Sequence, residues 1–460
     1  MSPETAAGCP VAHGAPAGPP RWDDSGVGTR RSWPGARRIS WFARYGLPRW
    51  ALGASARRGD LVARLTTDPQ LRADPYPGYE DLRALGPVVK GRISHATVDH
   101  AVAREVLRSS QFAAGVDQGP LPGWIFRLGQ AFTDPRDLGP IDAPSMLAVD
   151  GDLHTRYRRL VSRAFAAKNV AQQEDRVREI ATELLDDVEA SGGRDWDLVA
   201  RFAGQLPVQV IADMLGVPGD ERDQLLEWGD GAALMLDPDL SWSEYLRASN
   251  GLRQLQAWVV DRIAVLRREP ADTLLGRLVA LEGDDALTDL ELQMTAMLVL
   301  GAGFETTVNL IANAAVLLDA DPEQWDAAAE HGWAGAVEES LRLDPPVQLT
   351  LRVATQDVEL AGRPLRRGST VLAMIGGANR DPQVFDDPAR FDVTRPNAGE
   401  HLSLSDGAHY CIGANLAKLE ARVALELLHD RFPDLAVAPG GVRRGNRVLR
   451  GWSHLPVTSH

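Results

Sequence analysis

Cys411 lies between Gly407 and Gly413 and directly precedes a helix-forming run over residues 414–429. A thiolate at this position could ligate a metal, because backbone N–H groups and the positive end of the following helix are expected to lower the thiol pKa. Gly413, which has no side chain, would let a flat ligand lie against the backbone. A single cysteine is also typical of a small, inert core residue. On this stretch alone, the ligand interpretation is favoured only slightly.

An acid followed by two hydroxyls, Glu305-Thr306-Thr307, forms a second candidate site. A buried carboxylate is costly unless it is paired, and a threonine hydroxyl inside a helix can bond the carbonyl of the preceding turn and open a gap for water. The small residues Ala302 and Gly303 would let a ligand approach the backbone. Close helix packing would explain the glycine but not the acid and hydroxyl together. The pattern therefore favours a functional site at Glu305 and Thr306.

The segment that carries this motif is predicted to be a long central helix. Thr288 and Glu291 have the spacing of a capping box, and the sequence Asp-Ala-Asp-Pro at 319–322 ends the pattern. A helix over residues 288–318 would be about 45 Å long at about 1.5 Å per residue. Its nearly continuous apolar composition predicts that it is buried in the centre of the domain.

A basic helix is predicted over residues 153–165. His154 and Arg158 are four residues apart on it, so they share a face and could grip an anion together. A solvated basic face is the better interpretation of these two residues taken alone.

Glu339 and Arg342 are three residues apart on a further predicted helix, a spacing that usually gives a weak surface ion pair. The following stretch over residues 379–392 has little regular pattern and needs internal tethers. Arg390 folding back onto this pair would supply one and would turn the pair into a buried three-residue network.

Composition and charge exclude several classes of protein. A net charge of −14 argues against general nucleic-acid binding, which requires a basic face. Two cysteines exclude a disulfide scaffold and a multi-cysteine zinc site, and they fit a reducing cytoplasm. No apolar run without interruption approaches the roughly 20 residues that span a bilayer, so we expect no membrane anchor.

From residue 74 onward, the chain alternates helical patterns with short β-like pieces. Residues 1–40 are rich in Gly, Pro and Ala and are predicted to form a flexible tail. Short paired strands are predicted at residues 88–90 and 97–99. The length of 460 residues suggests about three domains on a prior of roughly 150 residues each.

The order and separation of these motifs resemble the cytochrome P450 family, in its soluble actinobacterial form, from about Asp74 to the C-terminus. The cysteine signature of that family is matched at Gly407, His409, Cys411 and Gly413. The chain departs from it at Leu404 and Ser405, where the family usually has Phe and Gly. Haem binding is expected to survive these departures, which bear on redox potential and affinity.

The resemblance implies one large P450 domain over residues 41–460, mainly α with a minor β-rich portion, in place of three domains. It also implies haem b as the cofactor. It assigns the axial thiolate to Cys411 and the acid–alcohol pair that relays protons to dioxygen to Glu305 and Thr306. The remaining implied contacts are His154, Arg158, Arg352 and His409 on the haem propionates, Ala302 and Gly413 beside the haem, and Glu339, Arg342 and Arg390 as a structural triad.

The resemblance also implies a monooxygenase that hydroxylates or epoxidises a hydrophobic small molecule such as a polyketide, terpenoid or steroid. Dioxygen and electrons from a separate ferredoxin and ferredoxin reductase would be required. Arg159, Arg163, Lys418 and Arg422 could dock an acidic ferredoxin or could equally be solvated charges. By family position, the substrate pocket would include Trp124, Phe126, Leu298, Val347 and Leu349.

Two alternative functions remain open from the sequence. The haem could be used with peroxide in place of dioxygen, although such enzymes tend to lack an acid–alcohol pair like Glu305-Thr306. The chain could also be a catalytically silent binding partner in a biosynthetic assembly, for which the departures at Leu404 and Ser405 are the only hint.

Overall fold

The computed structural model describes residues 35–114 and 132–459, and helices make up most of its regular structure. The α-helices are α1 Ala36–Trp41, α2 Leu47–Ala56, α3 Leu61–Thr67, α4 Pro69–Ala73, α5 Tyr76–Ala84, α6 His100–Arg108, α7 Gly151–Ser162, α8 Ala167–Ala171, α9 Glu174–Ala190, α10 Gln205–Leu215, α11 Arg222–Ala233, α12 Trp242–Arg268, α13 Leu274–Val279, α14 Asp289–Asp319, α15 Glu323–His331, α16 Trp333–Leu343, α17 Ile375–Ala378 and α18 Ala414–Arg431. This confirms the predicted fold class, which is mainly helical with a small β-rich portion.

Short strands form the β-rich portion. They are β1 Val89–Lys90, β2 His95–Thr97, β3 Phe112–Ala113, β4 Asp195–Asp197, β5 Leu349–Ala354, β6 Val358–Leu360, β7 Arg363–Leu365, β8 Thr370–Met374, β9 Ala436–Val437, β10 Val442–Arg443, β11 Trp452–His454 and β12 Pro456–Thr458. The largest sheet has the order β1-β2-β8-β5-β3, in which only the β2–β8 pair of the described strands is parallel. The pair of strands predicted at residues 88–90 and 97–99 is present as β1 and β2, but β2 lies two residues earlier than predicted, in the register Val89 with Ala96.

The central helix α14 begins at the predicted capping box. Thr288 Oγ1 accepts from the N–H of Glu291 at 3.2 Å, and Glu291 Oε2 accepts from the N–H of Thr288 at 3.0 Å. Two orphan donors at the helix start are thereby satisfied. Its length and composition would allow it to cross a membrane, but 76% of its most apolar window is buried inside the protein, as in a core helix.

The N-terminal boundary differs from the prediction. Helix α1 lies within the segment 1–40 that was predicted to be a flexible tail, because Arg37 Nη2 donates to Ser249 Oγ at 2.5 Å and Ser40 is buried. The contact of Arg37 is with α12, and Ser40 Oγ lies 2.8 Å from Thr133 Oγ1, so both depend on segments that are distant in sequence. Residues 36–40 therefore belong to the packed domain, and residues 1–34 lie outside the described part of the chain.

Glu420 on α18 is a buried acid without a charged partner among the described residues. Only 1% of its surface is exposed, and burial raises the pKa of its carboxyl well above the ordinary value. The folded protein therefore keeps a proton that the unfolded chain releases near a pKa of about 4.3. Because the folded state binds more protons, the free energy of unfolding falls as the pH rises above that value.

Replacing Glu420 by glutamine is expected to remove this pH dependence. Between the unfolded and folded pKa values, the wild type should lose about 1.4 kcal/mol of unfolding free energy per pH unit relative to Glu420→Gln. Urea denaturation at about pH 5, 6 and 7 would measure the difference. Glu330→Gln, at an exposed position of α15, is the control that should track the wild type. A difference that stays constant with pH would contradict the prediction.

Candidate functional site

The loop before α18 holds Cys411 at the edge of the main hydrophobic core. The N–H of Cys411 donates to Leu404 O at 2.8 Å, and the N–H of Gly413 donates to the thiol. The sequence predicted a lowered thiol pKa, but burial raises the pKa of Cys411 above its ordinary value. The Gly413 N–H and the charges of Arg158 and Lys418 only partly offset this effect. The prediction was wrong because desolvation arises from tertiary packing that the local motif does not reveal.

The two departures from the family signature have different consequences. Leu404 is buried and packs in the main core, where it is an apolar cover near the cysteine. Ser405 has φ +63°, a left-handed conformation that costs a residue with a Cβ roughly 1–2 kcal/mol and explains why glycine is common there. Gly407 also has a positive φ of +71°, and a Cβ there would lie 2.9 Å from Arg108 Cα. The glycine is therefore required at 407 but not at 405.

Basic side chains from three elements meet next to this loop. The rings of His154 on α7 and His409 lie 4.1 Å apart between centroids. His409 Nε2 lies 2.9 Å from Asp150 Oδ1, and the same aspartate acts electrostatically on the buried Arg352 of β5. Arg158, one turn along α7, acts electrostatically on His154. The structure thus brings the four residues predicted to contact the propionates into one region.

Electrostatics at this cluster favour an anionic ligand. Burial, with the nearby charges of His409 and Arg158, lowers the pKa of His154 to about 4, so its ring is neutral at pH 7. Burial also lowers the pKa of Arg352, which Asp150 partly offsets. Among the described residues, neither Arg158 nor Arg352 has a carboxylate within ion-pair distance. Two arginines that lack a carboxylate partner fit the two propionates of a haem.

Glycine positions also fit a flat cofactor. A Cβ added at Gly413 or at Gly301 of α14 would meet no atom within 4 Å, so both positions border open space. Ala302 is exposed although most neighbouring residues of α14 are buried. In contrast, a Cβ at Gly303 would lie 3.2 Å from Ile211 Cγ1, so this glycine permits close helix packing. Gly413, Gly301 and Ala302 therefore leave room for a flat cofactor.

Glu305 and Thr306 of the acid–alcohol pair each contact a polar group of the protein. Glu305 has only 2% of its surface exposed and lies 3.8 Å from Arg444 Nη1, measured from Oε1. Thr306 Oγ1 donates to Ala302 O at 3.0 Å, which is the predicted bond to the preceding turn. Because its proton is engaged in this bond, the hydroxyl oxygen keeps its lone pairs for another donor such as water.

Sequence reasoning missed Arg444, which the C-terminal hairpin brings to the central helix. The N–H of Arg444 donates to Gly451 O at 3.0 Å. Asn309 of α14 leaves no room for a side chain at Gly451. The backbone of the hairpin therefore lies against α14 one turn beyond Glu305. The dense arginines in residues 443–450 were a visible signal, but nothing local links them to Glu305.

The predicted structural triad is corrected at its third member. Glu339 and Arg342 form a fully buried bidentate pair at 2.7 and 2.8 Å. Arg395, not Arg390, completes the network, because Arg395 Nε donates to Glu339 Oε1 at 3.1 Å. The side chain of Arg390 is exposed, and only its carbonyl takes part, as an acceptor from Arg342 Nη2 at 3.0 Å.

The predicted pocket residues are only partly described. Leu298 is buried on α14, and Leu349 begins β5. Val347 pairs with Leu449 of the C-terminal hairpin in an isolated bridge. Trp124 and Phe126 lie outside the described residues.

The basic residues considered for ferredoxin docking are mostly paired with acids. Arg159 binds Asp285 at 2.5 Å, and Lys418 binds Glu338 at 2.5 Å. Arg422 bridges two further carboxylates at 2.6 and 3.4 Å. Arg163 is exposed and has no acidic partner within the described ranges. This pairing reduces the positive charge that these residues could offer to an acidic ferredoxin.

Comparison with known proteins gives consistent matches. The family model described as Cytochrome P450 matches residues 334–440. A Mycobacterium bovis protein named as a cytochrome P450 is 44% identical over 430 residues, which cover 92% of this chain and 97% of that relative. The 6-deoxyerythronolide B hydroxylase of Saccharopolyspora erythraea is 36% identical over 409 residues, covering 85% and 99%. A solved Mycobacterium smegmatis P450 with econazole bound has a TM-score of 0.78 at 36% identity, covering 86% and 99%.

Proposed function

Because this chain belongs to the cytochrome P450 family, we propose that it hydroxylates or epoxidises an apolar small molecule with dioxygen and with electrons from a ferredoxin. The chain is a cytochrome P450 monooxygenase, and its cofactor is haem b. The observation that most supports the proposal is the cluster beside Cys411. There, Arg158 and Arg352 lack carboxylate partners within the described ranges, and Gly413 borders open space.

When bound, haem supplies the iron at which dioxygen is activated, with electron density pushed from a cysteine thiolate. In this proposal Cys411 Sγ would ligate the iron. His154, Arg158, Arg352 and His409 would donate hydrogen bonds to the propionates, and the contact of Asp150 with His409 Nε2 would orient that ring.

Proton delivery is proposed to depend on two side chains of α14. Thr306 Oγ1 donates to Ala302 O and presents its lone pairs to a water molecule, which it would orient. Glu305 is proposed to pass protons from the Arg444 side toward that water. The 3.8 Å contact with Arg444 keeps the carboxylate compensated in its buried position.

The proposed substrate is a hydrophobic natural product such as a polyketide, terpenoid or steroid. Leu298 and Leu349 supply apolar surface, and Trp124, Phe126 and Val347 are proposed as further contacts on family position alone. This chain covers 99% of the 6-deoxyerythronolide B hydroxylase, and the name of that relative supports the polyketide class. The proposed location is the cytoplasm, where a free thiol such as Cys411 stays reduced.

Reconstitution with a ferredoxin, its reductase and a reduced nicotinamide cofactor tests the proposal. A library of apolar compounds would first be screened for ligand-induced high-spin shifts of the haem spectrum. Compounds that bind should then be converted to oxygenated products that carry the label from ¹⁸O₂. A parallel reaction with hydrogen peroxide alone identifies a peroxygenase, and spectral binding without any product would favour the silent-partner alternative.

Replacing Thr306 by alanine is expected to separate electron consumption from product formation. Without the hydroxyl, protons are delivered less selectively, so product per electron should fall by at least about tenfold while hydrogen peroxide accumulates. Thr307→Ala is a matched control, because the adjacent Thr307 hydroxyl also donates to a preceding carbonyl, that of Gly303 at 3.3 Å. Normal coupling in Thr306→Ala would exclude the proposed role.

A further inference from the structure

A cavity of about 220 Å³ lies between the α3–α4 segment, the start of β5 and the loop that joins β10 to β11. Part of its wall is apolar, including Leu65, Leu71 and Met374. The rest carries a concentration of positive charge from Arg72, Arg443, Arg444, Arg447 and Arg450. None of the described residues that line this cavity is acidic. The wall therefore combines a cationic side with an apolar side.

Four of the five arginines are compensated by carboxylates behind the wall. Arg443 and Arg450 share Asp344 at 3.2 and 2.6 Å. Arg447 binds Asp237 and Asp239 at 3.5 and 2.6 Å. Arg444 pairs with Glu305 at 3.8 Å. These cations are held by the fold and need no ligand.

Arg72 is different. Within the part of the chain that the structure describes, its guanidinium has no carboxylate within ion-pair distance, and its Nε is buried without a hydrogen-bond partner. One contact is made, from Nη1 to Gly445 O at 3.3 Å. Burial and the neighbouring charge of Arg447 lower the pKa of Arg72, and the charges of Asp239, Asp237 and Glu244 offset this only in part. A partly buried cation in this position gains most from an anion.

Arg72 is not needed to hold the β10–β11 hairpin in place. Arg450 already ties the hairpin to α4 through Nη1, which donates to Ala73 O at 2.8 Å. The contact of Arg72 uses one of five guanidinium N–H groups and is the longer bond. Its remaining donors are therefore available to a carboxylate, which matches the guanidinium fork in geometry.

We propose that this cavity binds a small amphiphilic carboxylic acid, with the carboxylate on Arg72 and the alkyl chain along the apolar wall. The volume of about 220 Å³ is below the roughly 300–1,000 Å³ of sites for drug-sized ligands, which restricts the acid to a short or medium chain. Because Arg444 also lines the cavity, the ligand lies beside the residue that compensates Glu305. Leu349, which is proposed above as a substrate contact, also lines this cavity, so the two sites share one wall residue.

Calorimetric titration of the haem-loaded full-length protein with sodium octanoate tests the proposal, with octanamide as the neutral isostere and acetate as the acid without a chain. Octanoate is expected to bind about tenfold more tightly than octanamide. Acetate should bind more weakly than octanoate, because it buries almost no apolar surface. These comparisons use the wild-type protein and hold even if a variant fails to fold.

The variant Arg72→Gln is expected to reduce octanoate affinity to the level of octanamide. Arg363→Gln, at an exposed arginine of β7 outside the cavity, should leave the affinity unchanged. Equal affinities for octanoate and octanamide would overturn the proposal. So would octanoate binding that is insensitive to Arg72→Gln, including binding that appears only as a shift of the haem spectrum.

Discussion

Replacing Cys411 by serine is expected to abolish the strongly red-shifted Soret band of the reduced, carbon-monoxide-treated protein. That band requires a thiolate ligand, and a serine hydroxyl, which stays protonated at neutral pH, does not replace it. Product formation with the ferredoxin system should fall to the level of a haem-free control. An unchanged band in Cys411→Ser would remove Cys411 as the iron ligand.

The chain offers a matched control for this substitution. Its other cysteine, Cys9, lies outside the described residues, and Cys9→Ser should keep both the band and the activity. Serine is nearly isosteric with cysteine, and the N–H of residue 411 still donates to Leu404 O, so Cys411→Ser should remain folded. Thermal unfolding and total haem content, measured on both variants, distinguish loss of the thiolate from loss of the fold.

The sequence predicted those elements that depend on interactions between residues close together in the chain. The capping box at Thr288 and Glu291, with the stop signal after residue 318, predicted helix 288–318, and the structure has Asp289–Asp319. The i, i+3 spacing predicted the Glu339–Arg342 pair in the same way, although not its complete burial. These features depend on side chains within one or two helical turns, so an isolated sequence determines them.

Features that depend on tertiary packing were not predicted from the sequence. The pKa of Cys411 was predicted with the wrong sign because the motif reveals the Gly413 N–H but not the burial that outweighs it. Arg444 reaches Glu305 because the hairpin backbone approaches Asn309 at a glycine, a contact between segments far apart in the chain. A local motif identifies a group that needs a partner, whereas the tertiary fold determines which residue is that partner.

Whether Arg390 or Arg395 contacts Glu339 also depends on tertiary packing and could not be predicted from the sequence. The two arginines are close together in an irregular stretch, where no helical or strand period fixes which side chain turns inward. In the structure, Arg395 also donates to the carbonyls of Asp386 at 2.6 Å and Asp387 at 3.2 Å. Its guanidinium therefore ties Glu339 to the stretch itself, a role that the exposed side chain of Arg390 does not have.

Replacing Arg342 by methionine is expected to lower the free energy of unfolding by about 3–5 kcal/mol, because it leaves Glu339 buried without its bidentate partner. Arg342 also donates to the carbonyls of Asn379 at 2.9 Å and Pro388 at 2.8 Å, which would lose their donor. Arg395→Met should destabilise in the same direction but less, since the Glu339–Arg342 pair would remain. Arg390→Met is the matched control and should stay within about 0.5 kcal/mol of the wild type. Urea denaturation of the three variants measures this order.

The same variants connect the network to haem retention. Asn379, whose carbonyl accepts from Arg342, also accepts from the N–H of Leu402 at 2.8 Å and donates to Ser403 Oγ at 2.7 Å. These bonds hold the chain just before Leu404, whose carbonyl in turn accepts from Cys411. Loss of Arg342 or Arg395 should therefore reduce haem content along with stability, whereas Arg390→Met should change neither. A larger loss in Arg390→Met than in Arg395→Met would instead make Arg390 the third member of the network.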